Sequence, residues 1–119
     1  FEGVKYAMVG YRLHDIGHAV QEYAESNGFG VIREYLGHGI GRDLHEDPQV
    51  PNYKDPGMRP GPHLKQNMVI AIEPMLSIGS YKTQILENEW TVITVDRSLS
   101  AHYENTVVIN DGEPELLTL

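Results

Sequence analysis

The strongest periodicity in the chain lies near its start, where apolar residues recur at steps of three and four. Between His14 and Asn27 the apolar positions are Ile16, Ala19, Val20, Tyr23 and Ala24. This spacing predicts an amphipathic helix over these residues. Asp15 in the first turn suits the helix dipole, and Gly28 is a typical residue to end the helix. Residues 1–8 are interpreted as the end of an earlier helix, broken at Gly10.

Most other apolar residues lie in short runs bounded by turn residues, which is typical of strands. Four segments have this character: residues 31–36, 68–72, 84–95 as a hairpin, and 103–109. Five prolines between residues 48 and 66 exclude a helix or a central strand there. A helix in the first half followed by strands favours an α+β fold with an antiparallel sheet.

The composition limits the class of protein and the kind of partner. The chain has 119 residues, 40% of them hydrophobic, which fits one domain or a piece of one. The formal net charge is −8 and no cluster of Lys or Arg interrupts it, which argues against nucleic acid and anionic membrane as partners. No apolar run approaches the roughly 18 residues of a membrane span, and no signal-peptide pattern is present. We therefore expect a cytoplasmic protein. Because the chain begins at Phe1 without Met, we expect a processed product or a fragment.

The segment Gly37–Asp47 concentrates candidate chemistry. It holds three glycines, two histidines and three carboxylates in eleven residues. Its glycines argue against a helix, so His38 and His45 are predicted to lie on a bent strand or loop. The run after His45 is not the helical metalloprotease motif His-Glu-x-x-His, because the second His is missing and Pro48 would break the helix. A polar surface turn is the alternative interpretation of this segment.

Two acids stand at the ends of apolar strands and add to the histidine. Glu73 follows the run 68–72, and Glu104 precedes Val107 in the last predicted strand. A carboxylate in such a place must be paired, ligated or solvated. The chain has no cysteine, so any metal must be held by His and carboxylate. Together with His38, these two acids make a set of one His and two Glu, which suits a divalent transition metal that activates water. Taken singly, each Glu is more often a surface acid, and only the combination with His38 points to a metal site. His14 and His18 are interpreted as surface or packing residues.

A series of short motifs runs along the chain in a fixed order. They are Asp15-Ile16-Gly17-His18-Ala19-Val20-Gln21, Gly37-His38-Gly39-Ile40-Gly41-Arg42, His45-Glu46-Asp47-Pro48-Gln49-Val50, Ile72-Glu73-Pro74-Met75, Trp90-Thr91-Val92 and Ser98-Leu99-Ser100-Ala101-His102-Tyr103-Glu104-Asn105-Thr106. The same motifs occur in this order in type I methionine aminopeptidases. Over nearly its whole length, the chain resembles the C-terminal half of such an enzyme.

The resemblance implies the pita-bread fold, in which two related α+β halves surround a dinuclear metal centre. Residues 1–119 would form the C-terminal half, an antiparallel sheet with flanking helices. The family removes the initiator methionine from nascent proteins, so the implied substrates are N-terminal Met peptides and nascent chains. The implied cofactors are two divalent metal ions, which could be Co, Mn, Fe or Zn.

The resemblance also implies a role for each candidate residue. His38 and Glu73 would bind one metal, and Glu104 would bridge both. His45 would contact the scissile amide and steady the tetrahedral intermediate, while Glu73 would be the general base. Leu44 and Trp90 would line the pocket for the methionine side chain, although Leu44 stands where an aromatic residue is common.

Part of the site that the resemblance requires has no match in this sequence. The family's centre also uses two aspartates and another histidine from the N-terminal half, and no segment here resembles that region. We therefore expect the missing N-terminal half of the fold to be a partner. We also expect the isolated chain to hold metal weakly and to be inactive.

Two other functions fit parts of the pattern. A proline-directed peptidase of the same fold is one, but those relatives tend to have Glu-Pro-Gly where this chain has Glu73-Pro74-Met75. A non-catalytic pita-bread binding module is the other. The chain retains Glu73 together with His38, His45 and Glu104, which argues against a non-catalytic module for the parent protein.

Overall fold

The computed structural model describes all 119 residues and contains one α-helix, one 3-10 helix and ten short strands. The 3-10 helix is Val4–Tyr6, shorter than the helix end predicted over residues 1–8, and the α-helix, α1, is Leu13–Ser26. The strands are β1 Gly30–Val31, β2 Gly37–Gly39, β3 Glu46–Val50, β4 Val69–Ile72, β5 Met75–Ser77, β6 Thr83–Ile85, β7 Val92–Thr94, β8 Ser100–His102, β9 Asn105–Val108 and β10 Glu115–Leu116. The predicted α+β class with an antiparallel sheet is confirmed. No helix has the length and apolar character needed to cross a membrane.

The core lies between α1 and a five-stranded antiparallel sheet with the strand order β10-β9-β4-β2-β3. The Asp15 carboxylate accepts a hydrogen bond from the Arg12 backbone N–H at 2.8 Å, and Gly28 ends the helix with a φ of +84°. The buried apolar cluster is contributed by both layers and by the loops between them: Ala7, Leu13, Ile16, Val50, Leu64, Ile70, Ile72, Val107 and Ile109. The apolar helix face predicted from the sequence is therefore the face that covers the sheet.

A second antiparallel sheet has three strands in the order β1-β5-β8. The chain enters it directly from the five-stranded sheet, because only Glu73 and Pro74 separate β4 from β5. The sequence pattern predicts neither β5 nor β8, since a three-residue strand is too short to show alternation. The predicted hairpin is confirmed as β6 and β7, which pair from Thr83↔Thr94 to Ile85↔Val92.

Two predicted boundaries are wrong. The strand predicted over residues 31–36 has only two residues in the ladder, Gly30–Val31. Just beyond it, the Arg33 guanidinium turns away to pair with the Asp55 carboxylate at 2.6 Å. The irregular segment predicted from residue 48 begins later, because Pro48 lies inside β3. This strand is at the edge of its sheet, where a residue without an N–H is tolerated.

Asp96 ties the loop after β5 to the loop after β7. Its carboxylate accepts hydrogen bonds from the backbone N–H of Ser80 at 2.8 Å and of Ser98 at 3.1 Å. These bonds, the one from Ser80 first, stabilise the ionised form and lower the pKa of Asp96 to about 2. The ionised carboxylate therefore contributes stability above the ordinary aspartate pKa, and this contribution is lost as the pH falls toward 2.

Asp96→Asn should accordingly lower the urea midpoint of unfolding at pH 7. The amide keeps an acceptor oxygen but loses the charge that strengthens both bonds. The difference from the wild type should shrink as the pH falls from 5 to 2, because the wild-type carboxylate then becomes neutral as well. Asp111→Asn, in an exposed turn, is the control. A difference in midpoint that does not change with pH would contradict this role.

Candidate metal centre

Three strands of the larger sheet bring together the side chains of His38, Glu73 and Glu104. His38 lies on β2, opposite Ala71 of β4. The acids flank the last pair of the neighbouring ladder, Ile72↔Asn105, with Glu73 just after β4 and Glu104 just before β9. Antiparallel pairing therefore places both acids at the same end of adjacent strands. One ligand atom from each of the three side chains lies within 4.8 Å of the other two.

The glycines around His38 allow the neighbouring strands to approach closely. A Cβ atom on Gly37 would overlap the carbonyl oxygen of Ala71, and one on Gly39 would overlap the carbonyl oxygen of Asp47. Both glycines are buried between β4 and β3, whereas His38 points to the other face of the sheet. One face of β2 has room only for glycine, and the other face carries the histidine of the candidate site. This explains the alternation of Gly, His and Gly.

The tautomer of His38 can be assigned from its contacts. Its Nδ1 lies 2.9 Å from the carbonyl oxygen of Gly39, and a carbonyl can only accept, so Nδ1 carries the proton. Nε2 of the neutral ring then presents a lone pair 3.3 Å from Oε1 of Glu73. Two acceptors facing each other at this distance need a cation or a proton between them. This arrangement fits a metal ligand whose second nitrogen is oriented by a backbone carbonyl.

Glu73 lies at the centre of the cluster. Its side chain is 13% exposed, and its second oxygen, Oε2, is 3.4 Å from Nε2 of His102. Burial, and then the nearby charge of Glu104, raise the pKa of Glu73, while His38 and His102 oppose that rise. A divalent cation would compensate both the burial and the repulsion between the two carboxylates.

His45 lies beside this cluster. It follows the glycine-rich turn after β2, and its ring centroid is 4.1 Å from that of His38. Both rings line an open cavity of about 550 Å³, together with residues of the preceding segment such as Glu34 and Tyr35. His45 is exposed and is not one of the three convergent donors. An imidazole in this place can contact a ligand bound at the cluster.

The two residues assigned to the methionine pocket lie on the surface. Leu44 is 68% exposed, and Trp90, after the turn of the β6-β7 hairpin, is 87% exposed. Neither lines the cavity beside His45 or a second cavity of about 280 Å³ whose walls include Met75, Ala101 and His102. In this chain the two side chains are therefore not assembled into a pocket with the donor residues.

The sequence analysis did not single out His102 as a site residue. It lies on β8, opposite Met75, and reaches the Glu73 carboxylate from the side opposite His38. Its position two residues before Glu104 was the available signal. That signal was not used, because the strand predicted over residues 103–109 leaves His102 outside it, and two residues share a face at this spacing only within one strand.

One His and two Glu that converge in an α+β fold form a donor set suited to a divalent metal that activates water. The family model for "Metallopeptidase family M24" matches residues 2–111. The chain therefore belongs to metallopeptidase family M24.

The similar curated proteins are methionine aminopeptidases. The chain is 58% identical over its whole length to the methionine aminopeptidase of Clostridium acetobutylicum and 48% identical over 99% of its length to methionine aminopeptidase 1 of Bacillus subtilis. In each case the chain covers 47% of that protein. It thus spans about half the length of these curated relatives.

Solved structures give the fold and distinguish two branches of it. Methionine aminopeptidase from Thermotoga maritima matches with a TM-score of 0.88 and 48% identity over 98% of this chain and 48% of that one. The prolidase from Pyrococcus horikoshii matches with a TM-score of 0.67 and 24% identity, covering 27% of that chain, which shows the fold alone. The chain therefore has the pita-bread fold, as the resemblance implied, and is far more similar in sequence to the methionine aminopeptidases.

Proposed function

We propose that this chain is one half of a metal-dependent methionine aminopeptidase, which removes the N-terminal methionine of peptides and nascent proteins in the cytoplasm. The observation that carries the proposal is the convergence within 4.8 Å of ligand atoms from His38, on β2, and from Glu73 and Glu104, at the ends of the neighbouring strands. The similarity to methionine aminopeptidases over the whole chain supports the choice of substrate. We use the term complete enzyme for this chain together with the other half of the fold.

The donor set fits two divalent ions, Co, Mn, Fe or Zn, in the complete enzyme. His38 and Glu73 would hold one ion, and Glu104 would bridge to the second. The other half would supply the remaining ligands, because three protein donors leave two ions incompletely coordinated. Divalent ions bound there supply Lewis-acid activation of water and of a peptide carbonyl near neutral pH.

The remaining roles follow from the chemistry of the side chains. Glu73 would accept a proton from the attacking water through a carboxylate oxygen and so act as general base. His45, next to His38, donates a hydrogen bond to the scissile amide as charge develops on it. Leu44 and Trp90 contact the methionine side chain in the complete enzyme. Both are exposed in this chain, which supports a pocket that the other half closes.

The proposal is tested by peptide hydrolysis. The complete enzyme with added Mn²⁺ or Co²⁺ should release methionine from Met-Ala-Ser and should not cleave X-Pro dipeptides, the substrates of a proline-directed peptidase. The 119-residue chain alone should release no methionine, since it has neither the full ligand set nor a closed pocket. Cleavage of X-Pro dipeptides in place of Met-Ala-Ser, or clear turnover by the isolated chain as a monomer, would contradict the proposal.

A further inference from the structure

Asn52 is a buried polar residue behind the candidate metal centre. It lies two residues after the end of β3 and is 1% exposed, which places its amide among the most buried side chains of the protein. Its Nδ2 donates a hydrogen bond to the backbone carbonyl of Glu73 at 3.4 Å, while its Oδ1 has no partner. A leucine would fill such a site without the cost of burying an amide. The amide therefore needs a reason other than packing.

The carbonyl that Asn52 contacts lies at a weak point of the fold. Glu73 and Pro74 lie between two sheets, after the last β4–β9 pair, Ile72↔Asn105, and before the first β5–β8 pair, Met75↔His102. The ladder bonds that fix a strand residue from both sides are therefore missing at Glu73. The carboxylate of this residue must nevertheless face His38 and Glu104, so its backbone has to be held by other means.

The helix holds Asn52 in place. A Cβ atom on Gly17 of α1 would lie 2.5 Å from the carbonyl oxygen of Pro51 and 2.6 Å from that of Tyr53, so the helix surface and this segment are in direct backbone contact. One turn along the helix, the side-chain oxygen of Gln21 accepts a hydrogen bond from the Lys54 N–H at 2.9 Å. The segment on both sides of Asn52 is thus anchored to α1, and the amide extends from it to the end of β4.

We propose that Asn52 is a positioning residue that fixes the Glu73 backbone through this hydrogen bond and so sets the place of the Glu73 carboxylate among the metal donors. The inference rests on the proposed function, because it gives Glu73 the role of metal ligand and base. Asn52 itself touches neither substrate nor metal. Groups that orient metal ligands typically change metal affinity or activity tenfold to a hundredfold when they are removed.

The test compares three variants of the complete enzyme. Asn52→Leu keeps the number and branching of the side-chain heavy atoms but removes the donor. Asn52→His places a ring nitrogen as far from Cβ as the amide nitrogen, and so restores a donor. Ser77→Ala is the matched control, because Ser77 is also 1% exposed and bonds only to the backbone of Gly79 and Ser80, away from the donor cluster.

We expect Asn52→Leu to weaken Mn²⁺ binding, measured by titration calorimetry, about tenfold or more and to lower kcat with little change in KM. Asn52→His should recover most of both losses. Ser77→Ala should lower the melting temperature but leave Mn²⁺ affinity and kcat unchanged. If Asn52→Leu matches Ser77→Ala in all three measurements, the residue only packs and the inference is wrong.

A failure of the inference can be separated from a failure of the proposed function. If His38→Ala loses Mn²⁺ while Asn52→Leu does not, the metal site stands and only the role of Asn52 falls. If His38→Ala keeps its Mn²⁺, the metal centre itself is wrong. If Asn52→Leu does not fold, the comparison of Asn52→His with Ser77→Ala tests the inference instead. Asn52→His should then keep its Mn²⁺ affinity. If Asn52→His has the melting temperature of the wild type but has lost its affinity for Mn²⁺, the inference is wrong.

Discussion

Replacing Glu104 with glutamine should remove both the bound metal and the peptidase activity of the complete enzyme. The proposed role of Glu104 is to serve two cations, and a neutral amide is a poorer ligand for each of them than a carboxylate. The substitution preserves size and shape, and Glu104 is exposed in this half of the fold, so the backbone should not be disturbed. The expected result is metal loss without unfolding.

Elemental analysis and methionine release, measured on the same preparation, check this result. Glu113→Gln is a suitable control, since Glu113 is also exposed and is not one of the three donors.

A second measurement, the pKa of Glu73, needs no metal. Glu104 is, after burial, the main cause that raises the pKa of Glu73, so Glu104→Gln should lower the pKa of Glu73 in the metal-free protein. If Glu104→Gln keeps its metal content, Glu104 is a surface acid and not a metal ligand.

His45→Ala should lower the activity of the complete enzyme without loss of metal. The His45 ring is beside His38 but outside the donor set. A hydrogen bond that strengthens as charge develops in the transition state is typically worth about 3 kcal/mol, or roughly a hundredfold in kcat. Because the ground state gains little from that bond, kcat and kcat/KM should fall together.

The comparison with His38→Ala makes this prediction specific. The two ring centroids are only 4.1 Å apart, so the two variants disturb nearly the same region. His38→Ala should lose metal first and activity as a consequence, whereas His45→Ala should keep its metal. Full activity in His45→Ala would show that His45 is only a polar loop residue. Equal loss of metal in both variants would make His45 a ligand.

The sequence predicted the elements whose signals are local. The spacing of Ile16, Val20 and Ala24 predicted α1 to within a residue at each end, and all three residues are buried. The apolar run before Glu73 predicted β4. Both acids of the cluster were found because an ionisable residue at the end of a buried strand is unusual in itself. Their convergence with His38 depended on strand order and register, which no single segment encodes.

The residues that the sequence analysis missed depend on contacts between distant segments. His102 reaches Glu73 only because β5 pairs with β8, and each of these strands has three residues. Asn52 lies in a proline-rich stretch where most polar residues face solvent, and its burial results from the close approach of Gly17. Leu44 and Trp90 illustrate a further limit: both are exposed in this chain, so their proposed role in a methionine pocket requires residues from outside it.

Anomalous diffraction from crystals of the complete enzyme grown with Mn²⁺ tests the central claim most directly. The claim is that His38, Glu73 and Glu104 are metal ligands and that Nε2 of His38 is the donating nitrogen, because Nδ1 is bonded to the Gly39 carbonyl. The account predicts anomalous peaks at ligand distance from that nitrogen and from both carboxylates. Manganese bound elsewhere, with these three side chains free of it, would contradict the account.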